Sequence, residues 1–569
     1  MMEENIKNTF HLPIFYQETT QINDNIKNDL ELLKTKDDDT KSAYNHLFNP
    51  TTTVGNVMLE SWGENFTNNK GFLVDTQKIM KDYNIEQDSN IVDKTTIDWY
   101  EIKNIEEIEE KYQYIEWERL KWLNYNPALL QILSILNITS PILQLMTPVI
   151  MLIIPFFFLK LMGKNITIDN YTHILKQVIS RHQIGQVITN FKDSSIRTKL
   201  YGLLMLGFYL YSIYQNVISC YHFYINAYYI IDKINSLKHY LKYTRNNMEK
   251  YHHLTKNYAS YKTFAKDLDE YKIKIDNFID ELEVLPEKTK SFKTVKIFGL
   301  IMKYFYRLHY DEDINDIVCY SLGFNGYIDT LCGLKNNISS KNINSIKFSK
   351  KNKSSFKKAY HPSLKDSSPV KNNINLDKSM ILTGPNAAGK TTLLKSAIIN
   401  IIFTQQTGYG FYKEGILNPY KFIHSYINIP DSCSRDSLFQ SEARRCKSIL
   451  DLIDENKNDR HFCVFDELYS GTNPYEAVSN AYGYLNYLIK NKNVKIILTT
   501  HYIKLCKLFR KNKNIKNYNM ETFINNHISK NTYKLVSGYS KTKGGIAVLK
   551  SLDYPENIIK EAEKILKNI

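Results

Sequence analysis

Cysteine is sparse and irregular in this chain: Cys220, Cys319, Cys332, Cys433, Cys446, Cys463 and Cys506 in 569 residues, with no CxxC pair. Zinc sites and disulfide frameworks both need regular spacing, so neither is expected, and a reducing, cytosolic setting is the simplest reading. The opening MMEENIKNTF lacks the short apolar core of a signal peptide. No internal repeat is evident. Two local absences carry more information. Between Asp232 and Leu285 there is neither Gly nor Pro, which predicts one long helix or a pair of helices on an elongated arm, closed by Pro286. From Lys335 to Tyr360 there is no acidic residue. A solvated linker is the plain expectation there, with contact to a polyanion as the alternative.

Acidic charge is also in deficit, leaving a net +15. That balance fits an anionic partner such as nucleic acid or a membrane surface. AT-biased codon use is a competing cause, because Lys, Asn, Ile and Tyr are all abundant. Two long stretches lack charge altogether. Trp122 to Leu159 contains no Asp, Glu, Lys, Arg or His, and Leu200 to Ile231 contains no Asp, Glu, Lys or Arg. A helix rises ~1.5 Å per residue, so about 20 apolar residues cross a hydrocarbon layer of ~30 Å. The two runs therefore predict a transmembrane helical hairpin. Pro148 and Pro155 fall inside the first run, where membrane helices tolerate them better than soluble ones do.

The chemistry lies in the last third. Leu376 to Ile381 leads into MILTGPNAAGKTT, and Gly384 to Thr391 fits G-x-x-x-x-G-K-[ST] ahead of a helix from Thr392 to Phe403. In such a loop the backbone N–H groups wrap phosphates, here those of Gly384, Asn386, Ala387, Ala388 and Gly389 beside Pro385 and Thr392. Lys390 reaches the outer phosphates, and Thr391 ligates Mg²⁺. A second apolar run, His461-Phe-Cys-Val-Phe, ends in Asp466 and Glu467. Asp466 is placed to hold Mg²⁺, directly or through water, and Glu467 to orient or deprotonate the attacking water. A third run, Val494 to Thr500, ends at His501, positioned to sense a γ-phosphate. ATP and Mg²⁺ are the cofactors these residues call for.

These segments resemble the MutS family of DNA mismatch-repair ATPases. GPNAAGKTT is similar to the family's GPN-x-GGK-[ST]-T, DELYSGTNPYEA to its DE-x-GRGTS segment, and TTHY to its ATHY. Ser437-Leu-Phe439-Gln-Ser-Glu442 resembles the family's signature helix. The ending Tyr533-Lys-Leu535, Gly538, Gly544-Gly545-Ile546-Ala547-Val548 and Pro555 resembles its closing pattern, and His361-Pro362 the dipeptide that opens its ATPase region. More loosely, Thr53-Val-Gly55, Leu59 and Trp62 are similar to the start of the family's core (lever) domain, and Tyr327-Ile-Asp329-Thr330 to its last helix. The resemblance implies that Ser437 completes the nucleotide site of an opposing subunit in trans, hence a homodimer or heterodimer through the ATPase domains. It also implies DNA as the partner.

The chain departs from the family in several places. No room precedes Thr53 for a mismatch-reading domain or a full connector, and the Phe-x-Glu wedge cannot be placed. The apolar hairpin stands where the clamp belongs. Ala388 replaces a glycine, and Arg435-Asp436 replaces the small and basic residues before the signature Ser. The GTNPYEA segment and the lack of an LSGGQ pattern set the chain apart from ABC-type and SMC-type ATPases.

The resulting expectation is an α/β P-loop ATPase domain at 361–569, preceded by a mostly α-helical lever/core domain. Residues 1–130 form its N-terminal helical part, 131–231 the transmembrane hairpin with a basic loop at 160–199, 232–334 the long lever helices, and 335–360 the basic linker. The loop's seven Lys/Arg against two Asp favour the cytoplasmic side, yet the ATPase must also face the nucleotide pool. A re-entrant hairpin and a buried helical pair in a soluble core therefore stay open. The functional expectation is an ATP-gated dimeric clamp on DNA without classical mismatch reading, cytoplasmic or nuclear in its ATPase part and membrane-associated through 136–231. The alternative is a membrane-embedded ATPase that moves a membrane segment or protein partner without DNA.

Overall fold

The computed structural model describes residues 2–37, 39–163, 165–181, 196–285, 296–427, 438–525, 528–540, 546, 549–550 and 552–568. Ser437 with Arg435 and Asp436, Cys433, Pro286, residues 182–195 of the basic loop, and Gly544, Gly545, Ala547 and Val548 of the closing pattern lie outside the described residues. The chain forms two compact units. One comprises Met1–Thr96, Thr244–Ile273 and Val318–Ile569; the other comprises Ile97–Tyr243 and Lys274–Ile317.

The first unit is built on a six-stranded sheet. Its strands are β1 (Ser379–Thr383), β2 (Phe422–Tyr426), β3 (His461–Asp466), β4 (Val494–Thr499), β5 (Ile515–Asn525) and β6 (Ile528–Ser537), in the order β2-β3-β4-β1-β5-β6. All run parallel except β6, which pairs antiparallel with β5. β1 is buried at every position, and β4 at every position but Lys495. That is what a parallel strand covered on both faces requires. The Leu438–Glu455 helix buries Glu442, Cys446, Ile449 and Ile453, a helical stripe that packs with Cys463, Phe465, Ala481 and Leu485. Parallel pairing brings Thr383, Asp466 and Thr499 to one edge of the sheet.

The two weaker motifs of the N-terminal half meet in this unit. The Asp329 carboxylate accepts from the N–H groups of Thr51 (2.9 Å) and Thr52 (2.8 Å) and from both threonine hydroxyls. Thr52 Oγ1 in turn caps the Thr53–Trp62 helix by accepting from Gly55 N–H at 3.0 Å. A Cβ on Gly55 would lie 2.3 Å from Asp329 Oδ2, so the glycine is needed for space. Trp62 Nε1 donates to Thr330 Oγ1 at 3.2 Å.

Where a linker was expected at 335–360, the chain is folded. The Glu312–Ser339 helix runs through Lys335, whose amino group donates to the carbonyls of Met80 and Lys81. Strands Asn344–Ser345, Lys347–Phe348 and Ser355–Ala359 follow. Ile343, Ile346 and Phe356 are buried. Sparse apolar residues between lysines therefore suffice to hold short strands, Ser355–Ala359 among them with a partner strand on each side, which the charge count hid.

The second unit is helical. The Pro127–Leu161 helix spans 35 residues, roughly 50 Å, and continues through Pro148 and Pro155. The Ile196–Thr255 helix spans 60 residues, so the second apolar run and the start of the Gly- and Pro-free stretch form one helix, with Lys262–Glu283 as the other. Between Ile105 and Leu123 only a short helix, Ile108–Tyr112, and the start of a 3₁₀ segment, Glu118–Tyr125, form. The apolar side chains of the hairpin are not a buried core. Leu145, Phe157, Leu203 and Phe208 are all exposed, Phe157 and Phe208 by 65% and 64%. Polar groups meet between the helices instead: Gln144 Nε2 donates to Ser212 Oγ (2.8 Å), Asn216 Nδ2 to Gln144 Oε1 (2.5 Å), and Tyr209 O–H to Gln144 O (2.9 Å).

Candidate nucleotide-binding site

β1 runs into the glycine loop, and the Lys390–Thr407 helix leaves it. Three residues of the turn have positive φ: Gly384 (156°), Ala387 (59°) and Gly389 (91°). A Cβ at Gly389 would also stand 3.2 Å from Tyr533 Cδ1. Asn531 Nδ2 steadies the loop by donating to Ala387 O at 3.1 Å. Ala388 is buried with its N–H on Pro385 O at 3.4 Å. Lys390 Nζ donates to the carbonyls of Gly384 (3.1 Å) and Pro385 (3.2 Å). Burial lowers its pKa, and Glu467 and Asp466 oppose that shift.

Parallel pairing puts the ends of β3 and β4 beside the loop. Thr391 Oγ1 donates to Asp466 Oδ2 at 2.9 Å, and the Thr499 hydroxyl bonds the other carboxylate oxygen. Glu467 takes φ +53° and Tyr469 φ +59°, a conformation that costs free energy at a non-glycine residue unless its surroundings enforce it. The Glu467 N–H is held by Thr499 O at 3.1 Å. The next turn is held by Glu442, 2% exposed, whose carboxylate accepts from Ser470 N–H (3.0 Å), Ser470 O–H (2.9 Å) and Gly471 N–H (3.2 Å). In the sequence Glu442 lies in the signature-helix segment and Thr499 in TTHY, with nothing to mark what either bonds, and Asn531 lies in no motif.

His501 faces two partners with one nitrogen. Its Nε2 is 2.8 Å from Glu467 Oε1 and 3.2 Å from Lys390 Nζ. An N–H at Nε2 donates to Glu467; a bare Nε2 accepts from Lys390; it cannot do both at once. The shorter contact favours donation to Glu467. That hydrogen bond is the largest cause holding the Glu467 carboxyl below its ordinary pKa, against its partial burial.

A cleft of about 630 Å³ opens over the loop, lined by Tyr360, His361, Val370, Met520 and Tyr533 on its walls and by Asn386, Ala387, Gly389, Lys390, Thr391, Thr392 and Glu467 near its floor. His361 caps the 3₁₀ turn at Pro362 by accepting from Ser363 N–H at 3.3 Å. Burial pushes its pKa down to about 4. The donor set fits a nucleotide and Mg²⁺: hard hydroxyl and carboxylate oxygens converge at Thr391 and Asp466. Among the described residues no group of three or more His, Cys, Asp or Glu side chains gathers to hold a metal, and Mg²⁺ ordinarily takes few protein ligands, with phosphate and water completing its shell.

The helix that leaves the loop is tied at its far end to the N-terminal segment. Gln406 Nε2 donates to Trp62 O (2.6 Å) and Asn65 O (2.9 Å), and Gln405 Nε2 to Thr67 O (3.1 Å).

Residues 380–569 match a family model described as MutS domain V. The chain is similar to the DNA mismatch repair protein MutS of Persephonella marina, 32% identical over 216 residues, covering 37% of this chain and 24% of that protein. It is also similar to that of Aquifex pyrophilus, 29% identical over 190 residues (33% and 22%), and that of Parabacteroides distasonis, 30% identical over 207 residues (35% and 23%). The chain thus spans about a quarter of the length of the curated relatives it matches. Residues 380–569, the stretch that holds the glycine loop, the paired acids Asp466 and Glu467, and His501, are thus similar to domain V of MutS proteins.

Proposed function

We propose that this chain hydrolyses ATP with Mg²⁺ in the cleft over the glycine loop and works as a membrane-associated, ATP-gated dimeric clamp on DNA. The observation that carries the reading is the convergence of Lys390, His501 and Glu467 beside the Thr391–Asp466 pair. Gly384 through Thr392 wrap the phosphates, Thr391 and Asp466 hold Mg²⁺, and Glu467 orients or deprotonates the attacking water. His501 holds Glu467 until a γ-phosphate competes for Lys390 and the imidazole. Glu467 is then released toward water. Mg²⁺ supplies charge stabilisation on the phosphates. Ser437 completes the opposing subunit's site in trans, in a homodimer or a heterodimer. The bonds from Gln405 and Gln406 to the segment following the Thr53–Trp62 helix give the nucleotide loop a route to the lever region.

Steady-state hydrolysis by the full chain in detergent tests the reading. Lys390→Ala is expected to abolish turnover. Glu467→Gln should bind ATP but turn over at least 100-fold more slowly, and run as a dimer in sizing experiments only with ATP. Hydrolysis unchanged in both variants would sink the assignment. A second reading, favoured by the exposed apolar side chains of the hairpin, is a membrane-embedded ATPase that moves a membrane segment or protein partner without DNA. Salt-dependent binding of duplex DNA supports the first reading; its absence supports the second.

A further inference from the structure

The edge of the six-stranded sheet opposite the nucleotide gathers loops that are unusually basic. The strands preceded by these loops are neighbours in the order β3-β4-β1-β5, so residues just ahead of each strand share one edge at ~4.8 Å spacing. Backbone bonds fix the loops there: His461 N–H donates to Asn493 O (3.0 Å) and Ser379 N–H to Asn514 O (2.9 Å). Side chains join them further. Asn514 Nδ2 donates to Ile489 O (3.4 Å), Asn491 Nδ2 to Lys457 O (3.0 Å), and Lys495 Nζ to Asp377 O (2.8 Å). The acid-free stretch noted in the sequence arrives at the same place, because Asn352 Nδ2 donates to Lys492 O at 3.0 Å and Asn352 also bonds Arg460.

Six cations of these loops, Lys351, Lys378, Lys490, Lys492, Lys511 and Lys513, are exposed. None has an ion-pair partner among the described residues. The acids nearby are engaged: Asp377 accepts from Ser354 N–H, and Asp459 lies 3.6 Å from Lys421 Nζ. From Tyr502 to Met520 the sequence has no acidic residue. The surface is therefore predominantly positive, its exposed lysines outnumbering Asp377 and Asp459, with asparagine amides set between the charges.

We infer that this edge is a second contact surface for nucleic acid, gripping the phosphate backbone without reading sequence. Phosphate contacts are made by Lys, Arg and Asn side chains, which is the composition of these loops. A lipid surface is the weaker fit, since membrane-seated segments carry apolar or aromatic wedges, and no large apolar side chain is exposed in loops 350–353, 377–378, 457–460, 490–493 or 510–514. The site lies a strand length from the glycine loop, roughly 17–20 Å, so nucleic acid there leaves the cleft open. The inference rests on the DNA reading proposed above but concerns a different surface.

The test uses the full chain in nanodiscs and fluorescence anisotropy with a labelled 30-base-pair duplex across a salt series. The variant combines Lys378→Glu, Lys492→Glu, Lys511→Glu and Lys513→Glu, with the four Lys→Gln changes as a gentler companion. ATP hydrolysis reports that both are folded. The Glu variant is expected to bind at least tenfold more weakly at low salt, with the slope of log K against log salt reduced by roughly 3. The Gln variant should fall between it and the unmodified chain. Unchanged affinity and slope in both variants overturn the inference and leave the DNA reading standing. No DNA binding by the unmodified chain at any salt brings down both. Loss of a preference for anionic over neutral nanodiscs, with DNA binding intact, reassigns the surface to lipid and overturns the inference.

Discussion

Glu442 illustrates how a single side chain sets the geometry of the acids. Its buried carboxylate gathers three donors from the turn after β3, a turn that holds Glu467 and Tyr469 at positive φ. Glu442→Ala leaves two N–H groups and a hydroxyl without an acceptor, at a cost of about 3 kcal/mol. Urea midpoints check the stability loss, and kcat should fall at least tenfold because Glu467 loses its placement. Nothing in the sequence pairs Glu442 with Ser470, since residues 28 apart meet only once β2 and β3 align. Lys390, Thr391, Asp466 and Glu467 were legible because their spacing within strand-loop-helix segments encodes their place directly. A pH prediction belongs at the same scale. Burial lowers the pKa of His361 to about 4 and that of His424 to about 3, with His461 beside His424 adding to the effect. The unfolded chain protonates near pH 6.5 while the fold still excludes the proton. Stability from these groups is thus full above pH 6.5 and is lost as pH falls toward the folded values. Between pH 6.5 and 5 each histidine should cost roughly 2 kcal/mol. Urea midpoints at the two pH values check this, and His424→Gln, whose amide N–H extends as far as Nε2 and retains a donor for His461 Nδ1, should flatten the slope.

At the scale of elements, the N-terminal half is organised by how closely the Glu312–Ser339 helix is approached. A Cβ on Gly333 would fall 1.4 Å from Phe48 O, and one on Gly326 would fall 2.6 Å from Val54 O. Backbone cannot yield as a flexible side chain does. Gly333→Ala should therefore destabilise by at least about 3 kcal/mol, well beyond the small helix-propensity gain expected of alanine. Asp329→Asn is the complementary test: it keeps the shape but removes acceptor capacity, leaving part of the Thr51–Thr52 donor set unpaired at about 2 kcal/mol. A thermal melt of each variant separates packing from hydrogen bonding, with the glycine change the more damaging. The Thr53–Trp62 and Tyr327–Thr330 segments were legible only as a loose likeness. Their contact is non-local, and what fixes it is one carboxylate and missing Cβ atoms, which no periodicity reveals. The acid-free stretch after Lys335 misled for a related reason, because Ile343, Ile346 and Phe356 are too few to register against so many lysines yet are buried.

At the scale of the molecule, the hairpin inverts the usual soluble arrangement, with amides and hydroxyls between the helices and leucines and phenylalanines outside. That pattern suits hydrocarbon, where exposed apolar surface costs nothing and polar side chains are satisfied between helices. The tryptophans provide a native depth gauge. Trp62 and Trp99 are buried, at 3% and 1% exposure, whereas Trp117 and Trp122 are exposed by 75% and 64% and lie ahead of the Pro127–Leu161 helix. Tryptophan favours the headgroup level, and a helix of roughly 50 Å exceeds a ~30 Å hydrocarbon layer. Its start is therefore expected at or outside the interface, with the excess length taken up by tilt or projection. This chain in nanodiscs should show fluorescence quenching by lipids brominated near the headgroup and little by lipids brominated near the chain ends. Replacing Trp117 and Trp122 by Phe should remove that quenching while leaving the emission of Trp62 and Trp99. The chain should also resist alkaline carbonate extraction, and lose that resistance when residues 136–231 are replaced by a short linker. Release of the intact chain as a folded soluble dimer, with no quenching at either depth, would mean that protein rather than lipid covers the apolar face.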